Sequence, residues 1–443
     1  MDALRRDGAA RQPLLFPPAH SSTSAGVKRE FPAKVRVQKQ VHHCGLERLP
    51  PEVRRQLLSD SDLPQLKALV RASPIFHQQY LCDRKYILCR SLEKTLGKVA
   101  VDAYLVNISA TKDNDPNHDQ FWLLKLFSEQ TAQGSMPTIN KATLDEALDM
   151  TRFYLDFVHP IAEHYARWSL DHLATRVSRD SSRCQQEHKL SSVESIRFRR
   201  AIYRFQLLCQ LFEWAAWPFG EDTARNFLYR LHPWEKEEIS SFYQFAYNVY
   251  DESHRAKVDL AWDDTDDGDP SRWLSSEWML DNFGFDQRRA IHLENTTLCG
   301  LSLLHGVLFK TRNKNQPKSL IPNHMYSEID LLFVAGDLST WVEMQEQRNP
   351  LVFRGDRESD APPLAWTMSW LDKDGNPLRF HVPDALRRWG YVFWDAATLD
   401  NTGAKETVYA HDKHYRQQAE DYHLRTGYLD HSQLRTSPLK AAL

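Results

Sequence analysis

The sequence predicts a mainly α protein: a short three-helix module near the N-terminus, then a large, predominantly helical C-terminal domain that carries one β-hairpin. Three observations predict it. Prolines and capping residues start a series of short apolar-faced segments between Leu46 and Leu81. Longer stretches, of which 191–220 is the clearest, keep a 3,4 apolar spacing. Around Asp374-Gly375 the apolar residues instead alternate with period two. The expected organisation is a disordered basic tail over 1–44, the module over 45–100 and the C-terminal domain over 115–443.

The tail holds eight Lys or Arg against three Asp or Glu, a net +5, with few large apolar groups. Burial there cannot offset the entropy of ordering, so a solvated segment is expected. It has no apolar core of signal-peptide length, and it is read as a tail in preference to an Arg-bearing mitochondrial transit peptide. Across all 443 residues, 42% are hydrophobic and 26% charged, the balance of an ordinary globular protein. A net charge of −3 argues against general nucleic-acid binding, and no run of 18 apolar residues predicts a membrane span. The six cysteines, at 44, 82, 89, 184, 209 and 299, show no CxxC pair, so reduced thiols and a cytoplasmic or nuclear location are expected.

Within the module, Pro50 suits a first helical turn, Glu52 complements its dipole, and Val53, Leu57 and Leu58 are placed on one face. Ser61 or Asp62 caps a second helix ahead of Pro64, with Leu66, Leu69 and Val70 as its stripe. Ser73-Pro74 repeats the device before Ile75, Phe76, Tyr80 and Leu81. Further helices are expected over 143–158 and 161–175, separated by Pro160, and from Lys236 to Tyr250. The helix opened by the Ser191–Glu194 capping box buries Phe198, Ala201, Ile202, Phe205, Leu208, Cys209 and Phe212. Arg197, Arg200 and Arg204 fall off that stripe and are expected in solvent, in preference to gripping a phosphate. The acidic run 262–269 is a solvated linker, because the twelfth position of a calcium loop started at Asp263 is Leu274. Trp366, Met368 and Trp370 pair with Leu378, Phe380 and Val382 in the expected hairpin, and 387–395 reads as a buried strand.

Catalytic patterns are sparse. His159, Glu163 and His164 match neither zinc-protease spacing, and Pro160 disrupts the helix that such a site needs. His411 and His414, with His423 beyond, are read as a titrating surface cluster rather than metal ligands. In "CGLSLLHG" a nucleophile elbow would need Gly at Leu304, so a buried helix is expected. No phosphate-cradling glycine loop is present, and the aromatics are assigned to cores and interfaces. The chain is therefore expected to be no enzyme and to need no cofactor.

Residues 46–88 resemble an F-box, specifically the divergent F-box-like type of ascomycete fungal proteins. Leu49-Pro50-Pro51-Glu52-Val53 matches the family's L-P-x-E-[IV], followed by Leu57, the Asp62-Leu63 turn, Leu66, Leu69 and Val70. Where the family has a Cys-[KR]-x-[WF] segment, this chain has Ser73-Pro74 and Phe76. "PWEKEEI" (233–239), "APPLAWT" (361–367) and "RRWGYVFWDAATL" (387–399) extend the resemblance. It implies docking on the Skp-type adaptor of a cullin–RING (SCF-type) ubiquitin ligase, through Leu49, Pro50, Val53, Leu57, Leu63, Leu66 and Val70. The C-terminal domain would recruit an unknown protein substrate for ubiquitination, with no nucleic-acid or membrane partner. The alternative is a non-catalytic interaction scaffold whose F-box-like helices are internal packing, with Leu49 and Pro50 covered by residues beyond 100.

Overall fold

The computed structural model describes residues 45–111, 120–133, 139, 142–177, 189–214, 226–264, 293–310, 353–370 and 384–410. A 3₁₀ turn, Gly45–Arg48, leads into α1 (Pro51–Ser59), α2 (Leu63–Ala72), α3 (Pro74–Cys82) and α4 (Arg84–Leu96). Each start is set by local chemistry. Pro51 fills the first position of α1, where a missing N–H costs nothing. Asp62 Oδ1 accepts from Gln65 N at 2.8 Å while Gln65 Oε1 accepts from Asp62 N at 3.3 Å, a reciprocal cap on α2. Ser73 Oγ accepts from Phe76 N at the start of α3. Leu58, Leu63, Leu66, Val70, Phe76 and Tyr80 then meet Ile87, Leu88 and Leu92 of α4 in the interior. The Leu63 N–H donates 2.9 Å to Thr95 Oγ1, so α4 also satisfies a donor at the start of α2.

The same apolar core continues through α5 (Ala100–Thr111), α6 (Gln120–Gln133), α7 (Leu144–Phe153) and α8 (His159–Val177). The helical path is not broken at Pro160. Tyr154–Val158 forms a π turn, and the His159 N–H bonds to Tyr154 O, five residues back. The widened turn relieves the clash that a proline imposes on a regular helix, so the backbone runs on where a separation was expected.

The centre of the fold is α9 (Ser192–Trp214), packed by α5, α8 and α10 (Pro233–Asp264). The predicted stripe residues Phe198, Ala201, Ile202, Phe205, Leu208 and Cys209 are buried, but so are Tyr203, Leu207 and Leu211 on the remaining faces. Arg199, Gln206 and Gln210, one line along the helix, stay only partly buried, so α9 is a largely interior helix with a narrow polar edge. The expected start of α10 at Lys236 moves back to Pro233, where Glu235 Oε2 accepts from His232 N at 3.0 Å. Beyond it lie α11 (Leu301–His305), which is the buried helix expected of "CGLSLLHG", then α12 (Leu364–Trp370), α13 (Asp384–Arg388) and α14 (Ala396–Thr402).

The predicted β-hairpin is absent, and the described residues contain no strand. Trp366, Met368 and Trp370 belong to α12, started by the Pro362-Pro363 pair; Asp374-Gly375, Leu378, Phe380 and Val382 lie outside the described residues. Alternation misled because a short helix enclosed by other elements is apolar on several faces at once, and Trp366 meets Trp234 edge to face at 5.6 Å. Nor is 387–395 a strand. It finishes α13 and then coils through turns closed by local bonds, Phe393 N to Gly390 O at 3.0 Å and Trp394 Nε1 to Trp389 O at 2.8 Å. Those bonds bury Trp389, Tyr391, Val392, Phe393 and Trp394 together, with Phe393 stacked on Phe198 at 4.4 Å.

Gly390 makes that coil feasible, with φ of 62° in the left-handed region. A Cβ there would sit 3.0 Å from Phe393 Cδ2 and 3.3 Å from Ser169 Oγ. Gly390→Ala is expected to cost about 1–3 kcal/mol from backbone strain and this crowding. A denaturation midpoint unchanged from wild type would sink that account.

Candidate functional site

Helix α1 has two unlike sides. Leu58 faces inward and is fully buried, whereas Val53 and Leu57 are 40% and 37% exposed. At about 100° per residue, Val53 and Leu57 lie about 40° apart, and Leu58 about 140° from Val53. Placing all three on one face was therefore wrong; of the three, only Leu58 faces the core. Just ahead of the helix, Leu49 is half-buried and Pro50, the extended cap residue, is exposed. The result is an apolar ridge of Leu49, Pro50, Val53 and Leu57 on a helix whose other side is locked into the core. Five of the eight large apolar side chains exposed among the described residues fall between Leu46 and Tyr86. At the flank, Arg55 lies over the Tyr86 ring at 4.4 Å and pairs with Asp83 at 3.1 Å.

The other three residues that the resemblance assigned to docking lie elsewhere. Leu63, Leu66 and Val70 are buried inside the helical trio. Short helices with so little interior need every large aliphatic side chain on their inner faces, so these three hold the ridge up from below. One site residue set thus divides into an outer layer and its support.

A second assembly escaped the sequence reading. Arg197, Arg200 and Arg204, expected in solvent, are buried. Arg200 holds Glu238 through two bonds, Nη2 to Oε1 at 2.6 Å and Nε to Oε2 at 2.8 Å, and also reaches Glu235 at 3.4 Å and Asp360 at 3.2 Å. Arg204 joins Asp102 at 3.0 Å to Glu235 at 2.8 Å. Arg197 pairs with Asp356 at 3.0 Å, and Asp356 in turn accepts from Ala396 N at 2.7 Å. Glu237 is held twice by Arg387, at 2.9 and 3.0 Å. Charged residues 235–238 are all buried at the start of α10, where the helix dipole favours carboxylates.

Electrostatics follow from these pairs. Burial alone would raise the Glu235 carboxyl, but the Arg204 and Arg200 guanidiniums and His232 outweigh it and hold its pKa at about 2. Burial would likewise lower Arg200, yet Glu238 and Glu235 keep it above the usual guanidinium range. Asp102 moves the other way, raised by burial that Arg204 offsets only partly. With each guanidinium engaged by carboxylates, the cluster ties α5, α9, α10 and segment 353–360 together rather than offering a cradle for phosphate. The available signal was arginines at i, i+3 and i+7 on a helix apolar over most of its remaining surface, with Glu-Lys-Glu-Glu downstream.

The remaining motifs do not converge. His159 stacks on Tyr154 at 5.7 Å and approaches Glu163 at 3.5 Å, whereas His164 lies against Phe245 and Phe309. Burial lowers the pKa of both imidazoles. Among the described residues no three His, Cys, Asp or Glu are grouped to hold a metal, and no helix is long and apolar enough to cross a membrane. His411, His414 and His423, residues 265–269 of the acidic run and the basic tail lie outside the described residues. No family model, curated protein or solved structure matches the chain.

Proposed function

We propose that this chain is an F-box-like substrate-recruiting subunit of an SCF-type ubiquitin ligase, docking on a Skp-type adaptor through the α1 ridge. The observation that carries the reading is the exposure of Pro50, Val53 and Leu57 on a proline-started helix whose opposite side is core. Internal packing would have covered Leu49 and Pro50; instead Pro50 is exposed and Leu49 half-buried. Leu49, Pro50, Val53 and Leu57 make the contact, while Leu63, Leu66 and Val70 hold the ridge in place. Residues beyond the module recruit the protein substrate, and the assembled cullin complex supplies the chemistry by proximity. The scaffold alternative draws on the burial of Leu63, Leu66 and Val70 and on the single apolar core that runs from Leu58 to Val408.

Calorimetry of the full chain against a Skp-type adaptor separates the two. Wild type should bind at micromolar affinity or tighter. Each buried apolar anchor contributes about 1.5–3 kcal/mol, so the Val53→Asp, Leu57→Asp double variant should bind about 100-fold more weakly or worse. Both positions are exposed, so its thermal midpoint should stay close to wild type. A folded wild type that binds no adaptor would leave the scaffold reading in possession.

A further inference from the structure

The ridge begins at a turn, Leu49-Pro50, reached from the short 3₁₀ turn Gly45–Arg48. It is tied at two points. The Glu47 carboxylate Oε1 accepts a 2.5 Å hydrogen bond from Ser73 Oγ, 26 residues away in the chain. The Glu47 carbonyl accepts a 3.0 Å bond from Arg54 Nη1, on the first turns of α1 itself. Ser73 is in turn fixed, since its Oγ also caps α3 by accepting from Phe76 N and the residue is buried. Leu49 N donates to Leu46 O at 3.3 Å, closing the turn between these ties. A hydrogen bond onto a carboxylate is stronger than one between neutral groups, so a single residue can hold the segment.

Resting on the docking reading above, we infer that Ser73 and Glu47 are positioning residues for the adaptor interface. Their bond holds the Leu49-Pro50 turn in line with Val53 and Leu57 before any partner arrives. The two touch no partner themselves. They act by keeping the population of chains with an intact ridge high, and the apparent affinity scales with that population. Ser73 thus does a second job beyond capping α3, and Glu47 has no role in the trio's apolar interior.

Adaptor-binding kinetics on the full-length chain test this, with amide exchange at residues 46–49 as the companion measurement. Glu47→Ala removes the tie and leaves the α3 cap intact. It should weaken adaptor binding about ten-fold, almost wholly through a slower association rate, with faster exchange at 46–49 and an unchanged thermal midpoint. Ser73→Ala should slow association to a similar degree but also lower the thermal midpoint, since it removes the α3 cap as well; adding Glu47→Ala to it should slow association little further, because both break the same Glu47–Ser73 bond. Glu47→Gln and Ser73→Thr, which keep an acceptor and a hydroxyl, should restore the association rate. If wild type binds and Glu47→Ala associates equally fast, the positioning role is overturned while the docking reading stands. Losses that simply add in the double variant would overturn it too. If folded wild type does not bind the adaptor, the docking reading itself fails and carries this role down with it.

Discussion

Replacing Arg200 with alanine is expected to destabilise the protein by about 3–5 kcal/mol. The reason lies in what stays behind. Glu238 is fully buried and takes both of its short bonds from Arg200, so the variant strands a carboxylate in the interior. Glu235 keeps Arg204, which limits the damage on that side. Asp360, half exposed, can turn to water or to Lys98. Because the loss comes from an unpaired charge, removing both partners should cost less than removing one. Arg200→Met combined with Glu238→Met should recover most of the stability, since replacing a buried pair with apolar groups of similar volume is often neutral or better. Chemical denaturation of the two single variants and the double completes the cycle. A double variant as unstable as the sum of the singles would show that the pair's environment, not its charge balance, carries the cost.

The second large effect depends on pH. With its pKa held at about 2 against an ordinary 4.5, the buried Glu235 carboxylate contributes about 3 kcal/mol at neutral pH. A depressed carboxyl stabilises the fold above its unfolded value, and that contribution disappears as pH falls through the folded value. Wild type should therefore exceed Glu235→Gln by about 3 kcal/mol at pH 7, with the gap closing between pH 4.5 and about 2. The difference between the two proteins is the proper readout, because other groups oppose it. Asp102, raised by burial, contributes most below the ordinary carboxylate range and less as pH rises through its folded value. A gap between wild type and Glu235→Gln that is flat from pH 7 to pH 2 would mean that the Arg204 and Arg200 fields do not set this carboxyl.

The two clusters also clarify how the fold is organised around its candidate site. The ion pairs fix α9 to α10, α5 and segment 353–360. Arg199, on the same helix, bonds to the Thr95 carbonyl, and Thr95 Oγ1 accepts from the Leu63 N–H in the trio. Arg197 reaches the turn of aromatic residues as well, with Nη1 bonded to Trp394 O at 3.3 Å. The exposed ridge of α1 is thus tied through α2 and α4 to the same interior that holds α9.

What the sequence determined by itself was local. Ser73 starts α3 where expected, Asp62 proves to be the cap of the two candidates for α2, and α1 starts one residue later than expected, at Pro51 with Pro50 as its extended cap, because a proline or a capping oxygen acts on the backbone within three residues. The Ser191–Glu194 box opens α9 for the same reason. Only the tertiary structure decided the features that depend on what lies across from a residue. It turned Val53 and Leu57 outward while burying Leu58, Leu63, Leu66 and Val70, and it enclosed three arginines whose place off the apolar stripe had assigned them to water. It also made a helix and a coil of the segments whose alternation predicted strands, because a period of two has meaning only when a neighbouring strand stands ready to pair. Caps and prolines act through bonds within one turn. Burial of a charge and choice of a face depend on partners distant in sequence — Glu238 for Arg200, Asp102 for Arg204 — that only the folded chain brings within reach.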